Sequence, residues 1–245
     1  MKGGDVEAGY ADAAASKGAA LYPGATESPE LRWALIRKVY VVLCLQLLLT
    51  AVVAVVVVRV RAIPRFFVSS YAGLGLYVFL LILPFIVLCP LSIYRQKHPV
   101  NLLLLGVFTV AISFSVGLTC AFNSGKVILE AGILTVVVVL SLTVYTFWAA
   151  KRGKDFSFLA PFLFASLSML LVFGLIQIFF PLGKLFHMIY GALAALIFSG
   201  YIVYDTNNII KRYTYDDYVW AAVSLYLDII NLFLGLLTLF RAADS

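Results

Sequence analysis

Asp205 and Asp228 sit inside long apolar runs. An ionisable side chain placed there costs about 2.5 to 3.5 kcal/mol even on lenient insertion scales, so it normally faces a bundle interior or water. The midpoint between the two positions falls in the polar turn Tyr213-Thr214-Tyr215-Asp216-Asp217. If the flanking runs form a helical hairpin, residues equidistant from the turn lie at one depth. At a rise of about 1.5 Å per residue that depth is roughly 10 to 15 Å from the end of the hairpin, inside hydrocarbon. Two carboxylates facing each other there repel and lose solvation, and one proton shared between them relieves both costs. With oxygens of Asn207, Asn208 and Asn231, and water, the pair can complete a hard-cation site, since calcium takes about 6 to 8 oxygen ligands. Asp205 and Asp228 are thus candidate metal ligands and pH-sensing residues on an ion pathway. The plainer reading is that each merely caps or hydrogen-bonds a helix, and the matched depth argues against it.

The elements that must hold this pair carry matching signals. Ala221, Ser224, Asp228, Asn231 and Gly235 recur at spacings of three and four and make a small or polar stripe on the last apolar run. Gly191, Ala195 and Ser199 repeat every four residues on the run before it, the pattern that lets two membrane helices approach closely. Close packing alone explains the small residues.

Both runs belong to a chain that is apolar throughout. Of 245 residues, 63% are hydrophobic and 12% charged, with a mean hydropathy of +1.03, which excludes a soluble globular domain. No Asp, Glu, Lys or Arg occurs in 39–58, 66–94, 99–125, 131–150, 156–183 or 185–204, and 218–240 holds only Asp228. Each gap has the roughly 20 residues a helix needs to cross a bilayer. The sequence predicts an all-α, polytopic membrane protein of seven transmembrane helices over 28–245.

Residues 1–27, rich in Ala and Gly and poor in aromatics, read as a disordered tail. They do not make a signal peptide, because acidic and small residues stand where a basic region and an apolar stretch belong. Ser28 and Pro29 then read as an N-cap and first helical position. They open an amphipathic lead-in through Leu31, Trp33 and Ile36, expected to lie on the membrane surface, and Arg241 to Ser245 read as a short trailing tail. With the N-terminus inside, the flanks on that side hold ten basic residues: Arg32, Arg37, Lys38, Arg95, Lys97, Lys151, Arg152, Lys154, Lys211 and Arg212. The opposite flanks hold six: Arg59, Arg61, Arg65, Lys126, Lys184 and Arg241. The bias favours a cytoplasmic N-terminus, with Arg59, Arg61 and Arg65 standing against it.

The net charge of +6 is spread over helix ends, which suits orientation in a bilayer and gives no reason to expect nucleic acid as a partner. Three cysteines, Cys44, Cys89 and Cys120, offer no disulfide framework, and two histidines, His98 and His187, no His-based metal site. No cofactor is required on this reading. Glu130 reads as an acid near a helix N-terminus. Gln46, Gln177 and His187 read as interhelical hydrogen-bonding groups. Arg95 ends the second span and, by parity of crossings, shares a membrane side with the 213–217 turn, so its long side chain could reach the aspartates or simply snorkel to headgroups.

Ile36-Arg37-Lys38-Val39-Tyr40, Gln46-Leu47-Leu48-Leu49-Thr50, Gly200-Tyr201-Ile202-Val203-Tyr204-Asp205-Thr206-Asn207 and above all Ser224-Leu225-Tyr226-Leu227-Asp228-Ile229-Ile230-Asn231-Leu232-Phe233 resemble signatures of the lifeguard branch of the BAX-inhibitor family. Leu21-Tyr22-Pro23-Gly24 and Glu27 to Trp33 look like its plant members. The resemblance implies seven helices with the last one central, and suppression of stress-induced cell death. It also implies moderation of calcium stores through a pH-dependent leak, in the endoplasmic reticulum or another endomembrane, with calcium as the transported ion. The family's aspartate pair falls on Asp205 and Asp228, and its basic latch on Arg95. Partners on this view are the bilayer, calcium ions and cell-death regulators. The short end after Phe240 departs from the longer charged tail of the BAX-inhibitor branch proper.

Rival readings fit less well. An intramembrane aspartyl protease would match Tyr204-Asp205, but Asp228 lacks the preceding Gly-x-Gly and no Pro-Ala-Leu follows, so the chain is not read as an enzyme. A seven-helix receptor would want larger internal loops. A small-solute or ion transporter is the alternative.

Overall fold

A computed structural model describes residues 28–94, 96–180 and 183–244. The expected disordered tail over 1–27 and the latch Arg95 lie outside the described residues. Among those residues all regular structure is helical. The elements are α1 (Pro29–Arg59), α2 (Ala62–Ser69), α3 (Tyr71–Ile93), α4 (Val100–Ala121), α5 (Gly125–Lys151), α6 (Leu159–Phe179), α7 (Lys184–Lys211), a 3-10 turn (Tyr215–Asp217) and α8 (Tyr218–Asp244). All but the short α2 and the 3-10 turn are long and apolar enough to cross a bilayer, giving seven spans. The protein is integral to a membrane.

The order of burial follows composition. α8 carries the broadest set of buried side chains and packs against α7, α5, α1 and α4, while α3 lies on α4 and α6 on α7. α8 is therefore the central helix. Its closest neighbour is α7, and the small-residue stripes account for the approach. A Cβ on Gly191 would sit 2.6 Å from the Leu239 nitrogen and 2.7 Å from the Gly235 oxygen, so the backbones themselves touch. A polar ladder joins the other side of α8 to α1 and α4. Gln46 Nε2 donates to Thr109 Oγ1 at 3.0 Å, and Thr50 Oγ1 lies 3.0 Å from Ser113 Oγ and 2.8 Å from the Tyr226 hydroxyl. Such interhelical bonds hold membrane bundles together where no hydrophobic drive between helices exists.

Several expectations need correction. The lead-in is not a surface segment: residues from Pro29 onward are the first turns of α1. Arg32, Leu35, Ile36 and Val39 in it are buried, because its inward stripe continues the stripe of the span. The connection after Arg59 contains α2, whose eight residues are too few to cross a bilayer and so left no mark on a search for spans. The end after Phe240 continues α8 through Asp244 rather than forming a tail. Gln46 bonds between helices as expected. His187 is exposed, and Gln177 Nε2 is buried with no hydrogen-bond partner among the described residues. Glu130 lies 3.9 Å from Lys126 across one turn of α5, an ordinary exposed pair.

Candidate functional site

One end of the bundle gathers the start of α1 and the α3–α4, α5–α6 and α7–α8 connections; we term it the aspartate end. Asp205 lies six residues before the end of α7 and Asp228 ten residues into α8. Both are buried, at 8% and 6% exposure, and their carboxyl groups lie close enough to interact electrostatically.

The remaining predicted residues divide around this pair. Asn208 Nδ2 donates to Asp205 Oδ1 at 3.4 Å. Ser224 lies near the hydroxyl of Tyr213. Asn207 turns outward and donates to Asp155 Oδ1 at 2.9 Å, and Asn231 donates to the Leu227 carbonyl of its own helix at 2.8 Å. Four buried oxygens on these turns, Asp228 Oδ2, Thr206 Oγ1, Asn207 Oδ1 and Asn208 Oδ1, have no hydrogen-bond partner among the described residues. Buried polar atoms left in this state are costly and uncommon in folded proteins. Among the described residues no group of three or more His, Cys, Asp or Glu side chains gathers for a metal.

Three further residues lie at the aspartate end, where the sequence marked Arg32 only as a flanking charge and gave Tyr213 and Asp155 no role. Tyr213, in the α7–α8 turn, lies close enough to Asp205 and Asp228 to feel their charge. Burial first, and then Asp205, push its hydroxyl well above the usual tyrosine range, so it stays a neutral hydrogen-bonding group. Arg32, fully buried, donates from Nη1 to the carbonyls of Ile209 at 2.9 Å and Tyr213 at 2.6 Å. These are carbonyls at the C-terminal end of α7, where helices leave acceptors unsatisfied and cations are favoured. Asp155, in the α5–α6 connection, accepts from the Ser157 amide at 3.0 Å and its hydroxyl at 2.5 Å as well as from Asn207. Those bonds bring its carboxyl down to about 2. Lys211 Nζ donates to the Lys154 carbonyl at 2.6 Å, and Arg212 donates to Ser157 Oγ, so this connection is strapped to α7.

The opposite flank is tied as well. Lys38 Nζ sits 3.5 Å above the ring of Tyr218 and 4.7 Å from that of Tyr215. The Tyr218 hydroxyl meets His98 Nε2 at 2.5 Å, and Gln96 Nε2 donates to Asp217 Oδ1 at 3.5 Å. For Arg32 a signal existed in the sequence: Arg32, Leu35, Ile36, Val39 and Leu43 recur at helical spacing, which puts the cation on the apolar face. For Tyr213 and Asp155, in connections between spans, none did.

Comparison with known proteins gives a consistent picture. The family model described as inhibitor of apoptosis-promoting Bax1 matches residues 32–245. The chain is 70% identical over 224 residues to Protein LIFEGUARD 4 of Arabidopsis thaliana, covering 91% of each chain. It is 63% identical over 238 residues to Protein LIFEGUARD 3 of the same plant, covering 97% of this chain and 94% of the relative. It is also 36% identical over 229 residues to the Golgi anti-apoptotic protein of vaccinia virus strain Lister, covering 90% of each.

Proposed function

The chain belongs to the family of inhibitors of apoptosis-promoting Bax1, and from that premise we propose that it suppresses stress-induced cell death as a pH-sensitive calcium leak of an endomembrane. The names of its relatives, lifeguard and Golgi anti-apoptotic protein, support the cell-death part. The observation that carries the transport part is the burial of two neighbouring carboxyls, Asp205 and Asp228, inside an apolar bundle, with Asp228 Oδ2 and Asn208 Oδ1 left without a hydrogen-bond partner among the described residues, oxygens of the kind a passing hard cation takes. On this reading the chain is a conduit, with no catalytic step.

The proposed orientation puts the aspartate end in the cytoplasm, following the ten-to-six bias of basic residues. In the closed state Tyr213 covers the pair. Arg95, at the sequence end of the second span, is proposed as the latch that attracts an ionised carboxylate. Since closure favours the deprotonated pair, opening takes up protons, and falling pH shifts the population toward the open state.

Calcium uptake into proteoliposomes, set beside the flux of other ions and solutes, tests the transport reading. Asp205→Asn and Asp228→Asn should each change calcium flux while the protein stays folded. Wild-type flux from both variants at every pH would overturn the site, and flux of another solute with none of calcium would point to a transporter. Expression in stressed plant cells tests the biology: survival should rise and the releasable calcium store should fall.

A further inference from the structure

The end of the bundle opposite the aspartates carries a cleft that the calcium reading does not use. Its shelf is α2, in which no residue is buried in the protein although Ile63, Phe66, Phe67 and Val68 are apolar. An amphipathic helix too short to span, joining two spans, lies in the membrane interface. The shelf is fixed. Ser70 Oγ donates to the Phe66 carbonyl at 2.9 Å and accepts from the Gly73 amide at 2.9 Å. A Cβ on Gly73 would lie 2.1 Å from the Phe66 oxygen, so α3 meets α2 backbone to backbone.

Arg59, Arg61 and Arg65 crowd onto this corner. They are exposed, and among the described residues their side chains make no hydrogen bond or ion pair. They also oppose the charge bias that orients the rest of the chain, so the corner calls for negative charge from outside the protein. Arg61 and Arg65 wall a hollow of about 520 Å³ with Pro64 and Phe122. Past Val68, Ser69 and Phe122, which line both, it adjoins a trough of about 640 Å³ bounded by Tyr71, Leu74, Tyr77 and Leu118. A cationic mouth beside an apolar and aromatic trough has the two-part shape of an amphiphile. Guanidinium groups match phosphate oxygens in bidentate geometry, and Leu74, Leu118 and Phe122 give the trough an apolar wall that suits an acyl chain.

We infer that this cleft binds an anionic phospholipid of its own leaflet, the phosphate held by Arg61 and Arg65 and an acyl chain lying against Leu74, Leu118 and Phe122. The site is independent of the calcium reading and stands or falls without it. The test uses the full chain in phosphatidylcholine nanodiscs doped with phosphatidylglycerol carrying a photoactivatable acyl chain, with cross-links mapped by mass spectrometry.

Cross-links should concentrate on Val68, Leu74, Leu118 and Phe122, and the same probe on phosphatidylcholine should label them far less. A cation near a charged headgroup is worth roughly fivefold in binding, so Arg61→Gln with Arg65→Gln should weaken labelling roughly 25-fold. Arg61→Lys with Arg65→Lys should keep part of it, which separates loss of charge from loss of fold. Lys184→Gln, an exposed cation elsewhere at the same end, should change nothing. Undiminished labelling of the glutamine variant, or equal labelling by the two lipids, overturns the inference. Competition by inorganic phosphate also overturns it, since the site would then hold a free anion.

Discussion

Arg32 Nη1 donates to the main-chain carbonyl of Tyr213 at 2.6 Å, so the first turn of α1 holds the residue whose hydroxyl lies near Asp205 and Asp228. The segment that follows the N-terminal tail is thereby joined mechanically to the most polar point of the bundle. A cation serves there because the carbonyls at the end of α7 have no helical donors left and the end of a helix dipole favours positive charge.

Arg32→Ala removes two charge-assisted bonds from a buried position and should cost about 3 kcal/mol of stability, measured by denaturant unfolding in detergent. Arg32→Lys should cost less. A water-soluble carbodiimide, which attacks protonated carboxyls, should label Asp205 and Asp228 faster in Arg32→Ala and Tyr213→Ala than in wild type. Equal labelling rates in all three would show that Tyr213 is no cover.

Gly191→Ala places a methyl group 2.6 Å from the Leu239 nitrogen, a backbone atom that cannot step aside. The α7–α8 contact must then open, at a cost of about 3 kcal/mol or more, the upper range for overpacking. Gly132→Ala meets nothing within 4 Å and should be neutral or stabilise by up to about 1 kcal/mol through helix propensity. Thermal unfolding of the two variants side by side reads the contrast; similar melting temperatures would contradict the close approach.

The strap at Asp155 has a defined pH behaviour. The carboxyl is held down to about 2, first by the Ser157 hydroxyl, with Asn207, the Ser157 amide and Lys211 adding. A depressed value means that its contribution is complete above the unfolded value of about 3.9 and is lost as pH falls toward the folded one. Protection of the Ser157 amide against hydrogen exchange should therefore stay level from pH 8 to pH 5 and fall in Asp155→Asn at every pH. Loss of protection near neutral pH would place another titrating group in the strap.

Neutralising Arg95 tests the proposed latch. Arg95→Ala should leave calcium flux high at neutral pH and flatten its pH dependence, because protonation of the pair would no longer release anything. Lys97→Ala, which removes a neighbouring loop charge, should leave the profile unchanged. A profile in Arg95→Ala as steep as wild type would move the latch to another cation of the same end.

What the sequence determined by itself is what one-dimensional patterns encode. Charge gaps of about 20 residues fix seven spans, because an unpaired charge in hydrocarbon is too expensive for any other reading. A helical hairpin has one free parameter, its turn, so the depth of Asp205 relative to Asp228 and the small-residue seam through Gly191 and Gly235 were legible too. The tertiary structure decided what depends on rotation about helix axes and on connections with no period. Asn207 and Asn208 are chain neighbours, yet about 100° of helical rotation sends one to Asp155 and the other to Asp205. Arg32 was counted as a surface charge although it shares a face with Leu35 and Val39, since a basic residue beside a span is ordinarily solvated and only the carbonyls of Ile209 and Tyr213, some 180 residues away, make its burial affordable. α2 escaped because a helix of eight residues leaves no gap in the charge pattern, and its place beneath Gly73 is set by a backbone contact that no side-chain pattern records.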